Sequence, residues 1–197
     1  MARLADRRRY PALERVVVAG HSAGGQVAAR WAPATEVGER LSAAGIALRF
    51  VIANPSSWLY FDARRPVAGG DGFAVPDASH CAGYDRWKYG LVDAVPYAAA
   101  MTGPDMARRF LGHDLVILLG GADDDPRHRF LDRSCAAALQ GPHRLARGLT
   151  YSAYLTSWAN ESAPRHRVLV VPGVGHDNKA MFGSACGRDA LFGIRGC

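Results

Sequence analysis

Val16-Val17-Val18-Ala19-Gly20-His21-Ser22-Ala23-Gly24-Gly25 carries an apolar, β-branched run straight into Gly-x-Ser-x-Gly. This is the pattern of a nucleophile elbow, a strand-to-helix turn that holds a serine in a strained conformation with its hydroxyl free. The pattern alone is weak, because glycine and serine are common, so its flanks must supply a strand before and a helix after. Val16 to Ala19 reads as a short buried parallel strand, and Gln26 to Ala32 carries helix formers that stop before Pro33. Gly20 and Gly24 are the positions where strand and helix backbones would approach closely. A helix starting after Ser22 points its N-terminal dipole and the Ala23 N–H at an oxyanion on a substrate carbonyl.

A serine hydroxyl needs a histidine to take its proton, and that histidine needs a carboxylate to fix its tautomer. The apolar strand Leu115 to Leu119 runs into Gly120-Gly121-Ala122-Asp123-Asp124-Asp125-Pro126, and Val168 to Val171 leads into Pro172-Gly173-Val174-Gly175-His176-Asp177. Serine, aspartate and histidine therefore follow one another in chain order, each just past a strand's carboxyl end. One aspartate of the triplet is equally suited to cap a following helix. His80, His113, His128, His143 and His166 lack such a position and read as solvated or merely hydrogen-bonded.

These segments resemble the α/β-hydrolase superfamily, more narrowly uncharacterised bacterial hydrolases with Gly-His-Ser-Ala-Gly-Gly, Asn-Pro-Ser-Ser and Gly-x-Gly-His segments, over nearly the whole chain. The resemblance implies Ser22 as nucleophile, His176 as general base and Asp123 as the orienting acid, with Asp125 as the runner-up. It implies an oxyanion hole that includes Ala23, a carboxylic ester or amide as small-molecule substrate, and neither metal nor organic cofactor. The implied fold is an α/β three-layer sandwich with a mainly parallel sheet.

The strand at Leu48 to Ala53 and helical stretches at Glu36 to Ala44, Phe130 to Gln140, Leu145 to Trp158 and Ala180 to Phe192 complete the alternation of strands and helices that a parallel sheet requires. A chain of 197 residues suits one domain, 1–197. Within it, residues 54–114 form a connection of about sixty residues, far beyond the usual loop of about two to six. Its aromatic residues and glycines suit a cap over the catalytic face, or a satellite core under a long loop. Asn54-Pro55-Ser56-Ser57-Trp58 lies directly beyond a strand end, where open α/β sheets place ligands. His21, Asn54, Ser56 and Trp58 are accordingly the expected substrate contacts.

About four strands ordinarily precede the elbow, and with them the loop that donates a second oxyanion N–H. Here Ser22 comes almost at once, and Arg3 to Leu13 read as the tail of a crossover helix, so the chain is expected to be N-terminally truncated. That leaves an open sheet edge, through which self-association is possible. It also leaves a second reading, an inactive hydrolase-fold remnant or interaction module without a complete oxyanion hole. A dinucleotide-dependent oxidoreductase would need a ribose-binding acid about 20 residues past the glycine turn. Glu39 is near that offset but falls in a helix instead of at a strand end.

The net charge of +6 comes largely from scattered arginines. Without a basic-aromatic motif, zinc spacing or recognition helix it implies surface charge and no nucleic-acid partner. Cys81, Cys135, Cys186 and Cys197 are widely spaced with no Cys-x-x-Cys pair. They leave disulfides open, with buried or free thiols at least as expected for a chain that starts without a signal peptide and so, as given, reads as cytoplasmic; a truncated N-terminus leaves the compartment open, since the lost part could have held an export signal. No stretch approaches the roughly 18 apolar residues of a membrane span.

Overall fold

The computed structural model describes residues 2–159 and 166–197. Four parallel strands make the main sheet: β1 (Arg15–His21), β2 (Ala47–Ala53), β5 (Asp114–Gly120) and β6 (His166–Val171), in the order β1-β2-β5-β6. Each strand extends the apolar run seen in the sequence by one to three residues. The alternation that decides the layers is within the strands. Phe50 and Ile52, with Leu115, Ile117 and Leu119, face one apolar cluster, while Val51, Ala53, Val116 and Leu118 face another. A parallel strand buried on both faces needs this continuous apolar character, which is why no polar alternation marks these segments.

On the first face pack α1 (Ala23–Trp31), α2 (Val37–Ala43), α3 (Gly103–Gly112) and α5 (Arg144–Thr156); on the second lie α6 (Asn178–Gly183) and α7 (Ala185–Phe192). The result is an α/β three-layer arrangement in which helices α3 and α4 (Cys135–Ala138) flank β5 in sequence. Several boundaries differ from the sequence reading. Only Cys135–Ala138 is helical within the Phe130 to Gln140 stretch. The terminal helix breaks at Ser184, whose hydroxyl accepts from Gly187 N–H and starts α7. Residues 3–13 form a short 3-10 helix (Ala2–Ala5) and turns instead of the end of a long helix, and Met1 lies outside the described residues.

The long connection after β2 contains α3, which the sequence reading did not resolve; Thr102 caps it by accepting from Asp105 N–H. It also holds a two-residue hairpin, β3 (Arg65–Pro66) with β4 (Phe73–Ala74). Its first rings join the main core: Trp58 stacks on Tyr151 at 4.4 Å, and Tyr60 and Phe61 contact Tyr154. Buried arginines then satisfy the carbonyls this irregular backbone leaves without sheet partners. Arg30 donates to Ser57 and Lys88 carbonyls, Arg147 to those of Ser56, Gly141 and Asp132, and Arg65 to those of Asp62, Tyr84 and Tyr89.

All four cysteines are paired, Cys81 with Cys135 and Cys186 with Cys197, which is the disulfide alternative that the sequence left open. The first pair ties the long connection to the start of α4; the second ties the chain end to α7. Among the described residues no helix is long and apolar enough to cross a membrane. Among the described residues, β1 at one edge of the sheet pairs only with β2.

Candidate functional site

The elbow is made by close backbone approach at two glycines. Ser22 sits at φ 56° and ψ −116°, between β1 and the first turn of α1, and its N–H donates to the carbonyl of Ala53 at 2.9 Å. A Cβ on Gly20 would lie 2.2 Å from the Gly24 carbonyl oxygen, and one on Gly25 would lie 2.7 Å from that of Ala53. Gly24 itself faces open space. The glycines that permit the crossing are thus Gly20 and Gly25, not Gly24. The positive φ of Ser22 is backbone strain, held by the strand on one side and the helix on the other.

Asp123 and His176 reach this turn because β5 and β6 are adjacent and their following loops are stitched together. Ala122 N–H donates to Val174 C=O, Gly121 N–H to Val171 C=O, and the Asn54 amide oxygen accepts from Gly120 N–H at 2.8 Å. Gly120 has no room for a side chain, since a Cβ would stand 2.4 Å from the Val174 oxygen.

Three side chains meet there. His176 Nε2 is 2.9 Å from the Ser22 hydroxyl, and His176 Nδ1 is 2.8 Å from Asp123 Oδ2. An ionised carboxylate can only accept, so Nδ1 carries the proton and Nε2 is left to accept from the hydroxyl. Asp125, the other candidate acid, instead accepts from Arg127 N–H in a local turn. Burial by itself would raise the Asp123 carboxyl, but the hydrogen bond from His176 and the charge of Arg144 outweigh it and hold Asp123 below the usual carboxylate range.

Arg144 was invisible in the sequence. From the first position of α5 its wholly buried guanidinium donates to Asp123 Oδ1 at 3.0 Å and to the Ser56 hydroxyl at 3.0 Å. A buried arginine leaves no signature of spacing, and only the packing of α5 against β5 brings it under the loop. His128 was also passed over. Its ring lies 5.2 Å from that of His176, edge-on, and its Nδ1 is 3.3 Å from Arg144 Nη1. The other histidines make ordinary contacts, as with His143 capping α5 and His166 beside the Ser152 hydroxyl.

Of the four expected substrate contacts, only His21 lines the cleft at the site, a space of about 510 Å³ bounded also by His128, Arg129, Phe130, His176 and Phe182. Its ring is 4.6 Å from that of His176, and burial, followed by the neighbouring His176, lowers its pKa to about 4. Asn54, Ser56 and Trp58 are buried scaffold. Asn54, at φ 44°, bridges β2 to β5, Ser56 joins Arg144 to the Phe130 carbonyl, and Trp58 has no exposed surface. The reason is the path of the chain, which turns back over α5 directly after Asn54 instead of rising above the sheet.

No protein-family profile and no curated protein sequence matches the chain. Solved structures do. LpqC, a poly(3-hydroxybutyrate) depolymerase from Bordetella parapertussis, matches 98% of this chain at 27% identity with a TM-score of 0.65. Poly(aspartic acid) hydrolase-1 from Sphingomonas sp. KT-1 matches 90% of it at 28% identity with a TM-score of 0.62. The chain belongs to the α/β-hydrolase superfamily. It spans just over half of those two proteins, 55% and 56% of their respective chains. In this α/β-hydrolase chain β1 is the strand that leads into Ser22, and it stands at the sheet edge. Among the described residues no cluster of three or more His, Cys, Asp or Glu is arranged to hold a metal ion.

Proposed function

We propose that this chain hydrolyses a carboxylic ester or amide through a Ser22-His176-Asp123 triad. The observation that carries this reading is the unbroken line from the Ser22 hydroxyl to His176 Nε2 at 2.9 Å and from Nδ1 to Asp123 at 2.8 Å. Ser22 Oγ attacks the substrate carbonyl carbon as His176 takes its proton, and Asp123 stabilises the imidazolium. The carbonyl oxygen becomes an oxyanion facing the Ala23 N–H, at the first position of nine-residue α1, where a helix leaves its N–H groups without internal acceptors. His176 returns the proton to the departing alcohol or amine. Water, deprotonated by the same imidazole, then releases the acyl group from Ser22. The names of the two structural neighbours, a polyester depolymerase and a poly(amino acid) hydrolase, support cleavage at a carbonyl.

The test is stoichiometric labelling by a fluorophosphonate probe that disappears in Ser22→Ala. A folded sample that does not label overturns the reading. The unpaired edge of β1 favours a second one, a non-catalytic module that binds through that edge or self-associates, and the same absence of labelling would support it. The two disulfides support a working place in an oxidising compartment over the cytoplasm expected from the sequence.

A further inference from the structure

We propose that the cleft beside His176 receives a carboxylate on the leaving-group side of the substrate, with Arg129 as the recognising cation. This rests on the hydrolase reading above. In that reaction His176 hands its proton to the departing alcohol or amine, so the leaving group lies along the open side of the imidazole. The cleft beside His176 is lined by His176, Asp177 and Asn178 from the loop after β6 and the start of α6, and by His128, Arg129 and Phe130 from the loop after β5.

Arg129 is the one permanent cation among the residues that line this cleft. Among the described residues no carboxylate forms an ion pair with it, whereas Arg144 is committed to Asp123. Of the nearby acids, Asp177 lines the same cleft and accepts from Ala180 N–H at the start of α6, and Asp125 accepts from Arg127 N–H; among the described residues neither forms an ion pair with Arg129. The guanidinium carbon of Arg129 lies 4.3 Å over the ring of Phe130, which limits the freedom of an otherwise exposed side chain.

The backbone under it is fixed as well. The Phe130 carbonyl accepts from the Ser56 hydroxyl, and Asp132 is hydrogen-bonded by Lys88 and Tyr89. Immediately after the Ser134 cap, the Cys81–Cys135 disulfide anchors the far end of the segment. Ordering is thus built in before any ligand arrives, the condition for a single exposed charge to discriminate. The neighbouring imidazoles of His21 and His128 are both held below the ordinary histidine pKa, mainly by burial, which leaves Arg129 as the lasting positive charge at neutral pH. One such charge suits one carboxylate, as in a hydroxy-acid or amino-acid leaving group.

The experiment compares the linear dimer of 3-hydroxybutyrate, whose leaving group carries a free carboxylate, with the methyl ester of the same dimer. The expected result is a kcat/KM for the free acid higher by on the order of tenfold, falling as salt is added. In Arg129→Gln the ratio falls toward one, and in Arg129→Lys part of it returns. Protein that labels at Ser22 but cleaves the two dimers equally, cleaves neither, or keeps its preference in Arg129→Gln overturns the inference alone. Absence of labelling removes the hydrolase reading, and this inference with it.

Discussion

The guanidinium of Arg144 lies 3.0 Å from Oδ1 of Asp123, while the other carboxylate oxygen, Oδ2, is 2.8 Å from Nδ1 of His176. One buried carboxylate is thus held from both sides, by a fixed cation and by the imidazole it orients. The arrangement sets both the rotamer of Asp123 and its ionisation, since the neutral acid would forfeit the interaction with Arg144.

Removing either partner strands a charge. Arg144→Ala leaves a nearly unexposed carboxylate without its cation and is expected to cost about 3–5 kcal/mol of folding stability. Denaturant unfolding measures it, and a loss below about 1 kcal/mol would show that the pair is not buried in solution. Asp123→Asn is expected to lower turnover on the order of 10⁴-fold through the wrong His176 tautomer.

The glycines of the elbow separate by what surrounds them. Gly20→Ala and Gly25→Ala force a Cβ into backbone oxygens at 2.2 and 2.7 Å and are expected to destabilise by at least about 2 kcal/mol. Gly24→Ala meets nothing within 4 Å and, lying in α1, is expected to be neutral or to stabilise by up to about 1 kcal/mol. Thermal unfolding of the three variants checks the order.

Strain at Ser22 predicts a conflict between stability and chemistry. Glycine accepts φ 56° and ψ −116° without a Cβ clash, so Ser22→Gly is expected to exceed Ser22→Ala in stability by about 1 kcal/mol. Neither variant would label with a fluorophosphonate. Equal unfolding midpoints for the two would mean that the elbow stores no strain.

His21 ties stability to pH. Its folded pKa of about 4 lies below the unfolded value near 6.5, so between these limits the unfolded chain binds more protons. The stability contributed by the neutral ring is complete above about pH 6.5, declines as pH falls toward 4 and changes no further below it. Urea midpoints across this window are expected to slope for the native protein and to slope less in His21→Gln, where His113, His128 and His166, also held below the ordinary histidine range by burial, supply what remains. An imidazole NMR titration with a midpoint near 6.5 would contradict the burial of the ring.

Much of this architecture could be read directly because it rests on local rules. Buried parallel strands are written as unbroken apolar runs, and Val16 to Ala19, Leu48 to Ala53, Leu115 to Leu119 and Val168 to Val171 each fall inside an observed strand. The loops that follow three of them carry Ser22, Asp123 and His176, so the chain order of these residues and their common sheet edge were legible. Helix ends were less so. Phe130 to Gln140 has a helical composition, yet its first half is held out of a helix by contacts to Ser56, Lys88 and Tyr89.

What the sequence determined by itself is the strand set, the strained turn at Ser22 and the order of the side chains that follow, because each depends on residues next to one another. What tertiary structure alone decided is which residues surround them. Arg144 beneath Asp123, Arg129 on the cleft wall, and Trp58 in the core instead of at the substrate all follow from where the long connection and α5 pack, and packing between distant segments leaves no period or motif along the chain.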